Sequence, residues 1–200
     1  MRIYFARHGE SEANILRVHS NRDVPHPLTA KGRGQAMGLA RKLADKSVTR
    51  LFTSPIMRAV QTAEILSNAL DVPYEVTDAL REYDCGILEG RADEAAWQQH
   101  FAMVDTWIHE GNLDACIEGG ESFIDIRDRF VPFIQRLLSD YRSTPANIIL
   151  MGHGGLYRLM LPLVLVNADY DLILNRPVNY TTCIVAETRT EGLTWIEWKD

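Results

Sequence analysis

The chain has 200 residues, 46% of them hydrophobic and 24% charged, a balance that fits one globular domain spanning 1–200 and excludes a disordered chain. The net charge of −6 argues against a nucleic-acid partner, and the longest apolar run, residues 159–166 broken by Pro162, is far too short for a membrane span. Cys85, Cys116 and Cys183 are odd in number and form no CxxC pair, which disfavours both a disulfide framework and a zinc ribbon. With too few apolar residues at the start for a signal-peptide core, the expectation is a reduced, cytoplasmic protein. Charge is unevenly spread: residues 1–58 carry eleven Lys/Arg against four Asp/Glu, so a local anion site in the first quarter of the chain is worth seeking.

Ile3 to Ala6 reads as a short buried strand that ends in a charged, glycine-containing loop. Thr29 can cap a helix to about Lys46, with Ala36, Leu39, Ala40 and Leu43 on one face. Leu51-Phe52-Thr53 is a second strand, and Ser54-Pro55 supplies a capping hydroxyl and a first-turn proline for the next helix. Ser122 with Asp125 opens a third long helix, along which Phe123, Ile126, Phe130, Phe133 and Leu137 recur at helical spacing. Ile148 to Met151 is a strand followed by Gly152-His153-Gly154-Gly155 and a helix from about Leu156, which Pro162 should kink or end. Thr182 to Glu187 and Thr194 to Trp198 read as two final strands. Strands alternating with helices predict an α/β fold: a three-layer α/β/α sandwich around a mainly parallel sheet. Residues 91–120 break the alternation and are expected to form a helical insertion over the site.

Three loops that follow strands carry the chemistry. They hold Arg7-His8-Gly9 through Asn14, Ser54 through Arg58, and Gly152-His153-Gly154-Gly155. In an open α/β sheet the carboxyl ends of parallel strands lie along one edge, so distant loops can converge there. Guanidiniums match phosphate oxygens, glycines let backbone N–H groups approach an anion, and a neutral histidine is a competent nucleophile at pH 7. His8 is therefore the nucleophile candidate for phosphoryl transfer.

These motifs, with Pro27-Leu28-Thr29, Leu80-Arg81-Glu82, Glu89-Gly90 and Gly119-Gly120-Glu121-Ser122, resemble the histidine phosphatase superfamily, also called phosphoglycerate mutase-like. The resemblance implies that His8 becomes phosphorylated. Arg7, Asn14, Arg58 and His153 would hold the phosphoryl oxygens, His153 counting also among the catalytic groups. Glu82 would protonate the leaving oxygen and later activate water. The implied activity is hydrolysis of a small phosphorylated metabolite, with no metal and no cofactor.

Two alternatives remain beside it: mutase-type phosphoryl transfer, and a non-catalytic phosphate-binding module on the same scaffold. The tract Tyr83-Asp84-Cys85-Gly86-Ile87-Leu88 departs from the mutase pattern and favours the phosphatase branch. Arg22 and Arg81 are candidates for contact with the substrate beyond its phosphate, while Glu89 reads as structural. Trp97 and Trp107 are candidates for an apolar cap. His100 and His109 lack metal-ligand spacing. Trp195, Ile196 and Trp198 could meet a partner, so a homodimer is possible.

Overall fold

The computed structural model describes residues 1–22, 25–142 and 144–199. In chain order its elements are β1 (Arg2–Arg7), α1 (Glu12–Leu16), α2 (Ala30–Leu43), β2 (Arg50–Thr53), α3 (Met57–Leu70), β3 (Tyr74–Val76), α4 (Glu94–Ile108), α5 (Phe123–Asp140), β4 (Asn147–Gly152), α6 (Gly154–Met160), α7 (Tyr170–Leu174), β5 (Cys183–Arg189) and β6 (Gly192–Lys199). Short 3-10 turns lie at Asp78–Leu80, Gly86–Leu88 and Leu161–Leu163.

The strands form one sheet in the order β3-β2-β4-β1-β5-β6. β3, β2, β4 and β1 run parallel, and the β5–β6 hairpin adds antiparallel to β1. Alternation along the strands builds the layers. Ile3, Phe5, Ile148, Leu150, Ile184 and Ala186 enter one core, shared with residues of α4, α5 and α6. Tyr4, Ala6, Ile149, Met151, Cys183 and Val185 enter the opposite core, under α2 and α3. The expected three-layer α/β arrangement with a mostly parallel sheet is thus what the chain adopts. Among the described residues no helix is long and apolar enough to cross a membrane.

Local chemistry explains the helix ends. The Thr29 hydroxyl accepts from Gly32 N at 2.9 Å, and Ser122 and Asp125 form a reciprocal capping box. α3 begins later than Ser54-Pro55 suggests: Ile56 is still extended, and the Ser54 hydroxyl caps no helix but accepts from Ile56 N at 3.2 Å. α2 stops at Leu43, short of Lys46. α6 starts at Gly154 and passes into the 3-10 turn that contains Pro162, as a proline lacking an N–H requires. β3 is a short edge strand with two of its three residues exposed, too little burial to leave a pattern in the sequence.

The 91–120 segment supplies α4 and a returning loop. Trp107 is buried in the core and donates to Ala115 O at 2.7 Å, tying the loop to the helix. Trp195 and Trp198 pack edge to face, and the Arg176 guanidinium lies 5.1 Å from the Trp195 ring centre. Their indoles donate to Asn167 O and Pro177 O, so they fasten the 167–177 loop to the hairpin.

The loop after β1 is set against the first turn of α2 by a close glycine approach. A Cβ on Gly32 would stand 1.9 Å from Glu10 O, and one on Gly9 would stand 2.5 Å from Gly32 O. Gly32→Ala must therefore separate the two segments and is expected to cost about 1–3 kcal/mol in urea denaturation. Gly34→Ala, at an exposed helical position with nothing within 4 Å, is expected to be neutral or stabilising by about 0.5–1 kcal/mol. Equal effects of the two substitutions would mean that the contact does not matter.

Candidate active site

β1, β2 and β4 end side by side, with Arg7 opposite Gly152 and Thr53 opposite Met151. Backbone bonds extend the alignment past the strand ends: His8 N donates to Gly152 O, and Ser54 N to Met151 O. The three loops are therefore brought to one edge. Gly9 N donates to the Thr62 hydroxyl, which fixes the His8 loop against α3.

His8 is 2% exposed. Its Nδ1 lies 2.7 Å from Gly9 O, and its Nε2 lies 3.0 Å from Arg58 Nε. A carbonyl can only accept and a guanidinium can only donate, so the ring must carry its proton on Nδ1 and a lone pair on Nε2. Burial, reinforced by the positive charges of Arg58 and Arg7, holds the His8 pKa well below the ordinary imidazole value. The neutral ring is thus the form present at pH 7.

Arg58, on the first turn of α3, is 5% exposed. Besides His8, it donates to Ser20 O and to Asn21 Oδ1. Burial lowers its pKa to about 10, leaving it charged at neutral pH. Asn21 is itself anchored, because Glu89 accepts from the backbone N–H groups of Asn21 and Arg22. Glu89 is accordingly a structural acid of this loop.

Arg7 donates from Nη1 to Val178 O at 2.6 Å, and its guanidinium carbon lies 4.5 Å from the centre of the Tyr180 ring. His153 is fully buried, with its ring centre 5.0 Å from that of His8. Its Nε2 lies 2.7 Å from the Ser54 hydroxyl, which already accepts from Ile56 N. Arg7 Nε and His153 Nδ1 are buried without hydrogen-bond partners. An unsatisfied guanidinium donor and an unpartnered ring nitrogen near one nucleophile suit the oxygens of an anion, since a buried orphan polar group otherwise costs about 1–3 kcal/mol. Asn14 Oδ1 accepts from the Ser11 backbone and hydroxyl, which leaves its amide N–H groups as what it can offer the same cavity.

Glu82 stands at the wall of this cavity. Its carboxylate accepts from Gly155 N at 2.9 Å and Leu156 N at 2.6 Å, in the first turn of α6. Burial raises its pKa, against the opposing pull of those N–H groups and of Arg58. Gly155 is required here, because a Cβ would fall 2.8 Å from a Glu82 oxygen. The cavity, of about 330 Å³, is lined by Arg7, His8, Asn14, Arg58 and Glu82, with Trp97, His100 and Phe101 of α4 among its other walls. His153 lies behind the lining.

Two candidates fall elsewhere. Arg22 pairs with Asp84 at 2.9 Å, donates to Gly119 O, and lines a separate surface cleft with Pro55 and Gln61. Arg81 pairs with Asp78 at 3.0 Å and does not line the cavity. In both cases a nearby acid pairs with the side chain, and neither lines the cavity that holds His8. Of the tryptophans Trp97 lines the cavity and Trp107 does not. Ser20, Asn21, Ser54 and Thr62 are the contributors that sequence reasoning did not single out as site residues. Ser54 and Thr62 left a trace, as neighbours of Arg58 in the Ser54-Pro55 and Thr62-Ala63 motifs, and Ser20 and Asn21 left none.

The fold and this cluster define a class. The profile of the histidine phosphatase superfamily (branch 1) matches residues 3–200, and the chain belongs to that superfamily. It is 28% identical over 98% of its length, and 88% of the other protein, to one described as "Probable phosphoglycerate mutase GpmB" from Proteus mirabilis. It is 32% identical over 80% of its length, and 78% of the other, to an adenosylcobalamin/alpha-ribazole phosphatase of Salmonella typhimurium. The crystal structure of the alpha-ribazole phosphatase from Shigella flexneri superposes with a TM-score of 0.81 at 26% identity, covering 100% of this chain and 96% of that one.

The hydrogen-bond pattern predicts that nitrogen-15 NMR at pH 7 will find His8 neutral with its proton on Nδ1, because burial and the charges of Arg58 and Arg7 lower its pKa from the ordinary imidazole value. An imidazolium, or the Nε2-protonated tautomer, would contradict the geometry.

Proposed function

We propose that the chain is a phosphatase hydrolysing small phosphate monoesters through a phosphohistidine on His8, without a metal ion in the chemistry. The observation that carries this reading is the lone pair of His8 Nε2, its tautomer set by Gly9 O and its position by Arg58. Nε2 attacks phosphorus in line as the ester P–O bond breaks. Arg58 Nε–H passes from Nε2 to a phosphoryl oxygen, joined by donors from Arg7, His153 and Asn14. Fixed donors of this kind supply what phosphoryl transfer chiefly needs, positioning and charge neutralisation. Glu82 gives its proton to the departing oxygen, for which a raised pKa suits it. In the second half water yields a proton to Glu82, its oxygen attacks phosphorus, and the P–N bond breaks to release inorganic phosphate and His8.

The relatives support phosphoryl chemistry but carry both phosphatase and mutase names. The cavity favours the phosphatase. A mutase must hold a substrate with two anionic ends, whereas beyond Arg7 and Arg58 this cavity offers one further cation, Arg158, among Val18, Trp97, Phe101, Leu174 and Val178. The substrate that fits is a phosphorylated metabolite with an apolar or flat body.

A rapid-quench reaction with labelled ester is expected to trap protein-bound phosphate that is stable to alkali, lost in acid and missing from His8→Ala. Label that persists in His8→Ala would sink the assignment. Treatment with a chelator is expected to leave the phosphorylation rate unchanged, and a tenfold loss restored by a divalent ion would overturn the metal-free mechanism.

Glu82→Gln separates the acid from the pocket. In single turnovers, alkyl phosphates should lose about 10²–10⁴-fold in phosphorylation rate, and 4-nitrophenyl phosphate, whose leaving group needs no proton, far less. Equal losses would leave Glu82 a shaping role only.

A further inference from the structure

Away from the His8 cluster, three side chains from unconnected segments meet at the distal wall of the cavity. His19 follows α1, Cys85 precedes the turn at Gly86–Leu88, and His100 lies midway along α4. One ring nitrogen of each histidine and Cys85 Sγ all lie within 4.8 Å of one another. We propose that His19, Cys85 and His100 form a binding site for a borderline-soft divalent metal ion of the zinc class.

Distances agree with that reading. Cys85 Sγ lies 3.5 Å from His100 Nδ1. Metal–nitrogen and metal–sulfur bonds of zinc in a tetrahedral angle separate N from S by about 3.6 Å, so this pair is already at ligand spacing. The remaining pairs need to close by about 1.5 Å at most.

A second observation points to a ligand independently. His19 is 3% exposed, yet its Nε2 has no hydrogen-bond partner. A thiol hydrogen-bonded to His100 would explain the Cys85–His100 contact by itself, but it gives His19 nothing.

The surroundings orient the donors as outer partners of a metal site do. The Tyr83 hydroxyl lies 2.8 Å from His100 Nε2, which leaves Nδ1 for the ion. Burial pushes the Cys85 thiol pKa up, and the Asn21 Nδ2 donation to Cys85 Sγ at 3.3 Å opposes that in part, so the ion itself must displace the proton. The Trp97 ring stacks 4.1 Å from His19. Burial keeps both imidazoles neutral at pH 7, His100 with a pKa of about 4, so their lone pairs are available. Two nitrogens and one sulfur select against magnesium and calcium, which take oxygen ligands. His19 and His100 line the cavity while Cys85 does not, so an ion among them would keep an open coordination position toward the cavity.

Binding must displace the Cys85 proton: the S–H bond breaks, the metal–sulfur bond forms and one proton leaves to solvent per ion. The site is separate from the phosphoryl chemistry, in which these three residues take no part. Two residues join the sites: Asn21 accepts from Arg58 and donates to Cys85, and Tyr83 donates its N–H to Glu82 while its hydroxyl meets His100.

The test is titration of chelator-treated full-length protein with cobalt(II), followed by absorption and by proton release, then displacement by zinc. The expected result is one equivalent bound at micromolar ion, a thiolate-to-cobalt charge-transfer band, and one proton released. Cys85→Ser should lose the band, and Cys116→Ser and Cys183→Ser should keep it. His19→Gln, which retains the thiol, should keep the band but weaken binding at least tenfold, and it serves if Cys85→Ser fails to fold. Absence of stoichiometric binding at micromolar ion would overturn the site. So would a band that follows Cys116, or binding indifferent to His19→Gln.

Discussion

The contact on which the rest of the site depends is the hydrogen bond from Arg58 Nε to His8 Nε2. A buried guanidinium is costly unless its charge and donors are met, and here Ser20 O, Asn21 Oδ1 and His8 meet them. The same bond tells His8 which nitrogen keeps its lone pair, while burial and the charge behind it disfavour protonation. Glu89 contributes from further out, because it fixes the backbone at Asn21 and Arg22. Tautomer and anchoring are thus one arrangement, and under the proposed mechanism the same cation then receives the phosphoryl oxygens.

The sheet makes that arrangement cheap in chain length. Adjacent β1, β4 and β2 end in register, so Arg7, His153 and Ser54 need no long connections to meet. The first turn of α6 then adds the two N–H groups that hold Glu82 opposite. α4 closes the distal side with aromatic rings and leaves the phosphate end polar. A phosphate monoester with an apolar body, the substrate class proposed above, would use both halves.

Much of this was legible in the sequence. The strand-loop pattern places His8, Arg58 and His153 along one sheet edge, because parallel strands put their carboxyl ends together. Glu82 was legible only through family resemblance, since its place opposite His8 comes from the packing of residues 80–85 against α6. Ser20 and Asn21 could not be found, as their roles rest on a backbone path around Arg58 that no local pattern encodes. The ion pairs of Arg22 with Asp84 and of Arg81 with Asp78 were not legible, because a basic residue near a motif carries no sign of the acid that pairs with it. His100 shows no local ligand spacing because the side chains it meets come from elsewhere in the chain. His19, Cys85 and His100 are neighbours only after α4 has docked.

The central claim, that the phosphoryl group rests on His8 between ester and water, is tested most directly by the stereochemistry at phosphorus. An ester made chiral with oxygen isotopes should be hydrolysed with net retention, because two in-line displacements each invert the centre. Net inversion would show that water attacks the ester directly, and would contradict the account at its root.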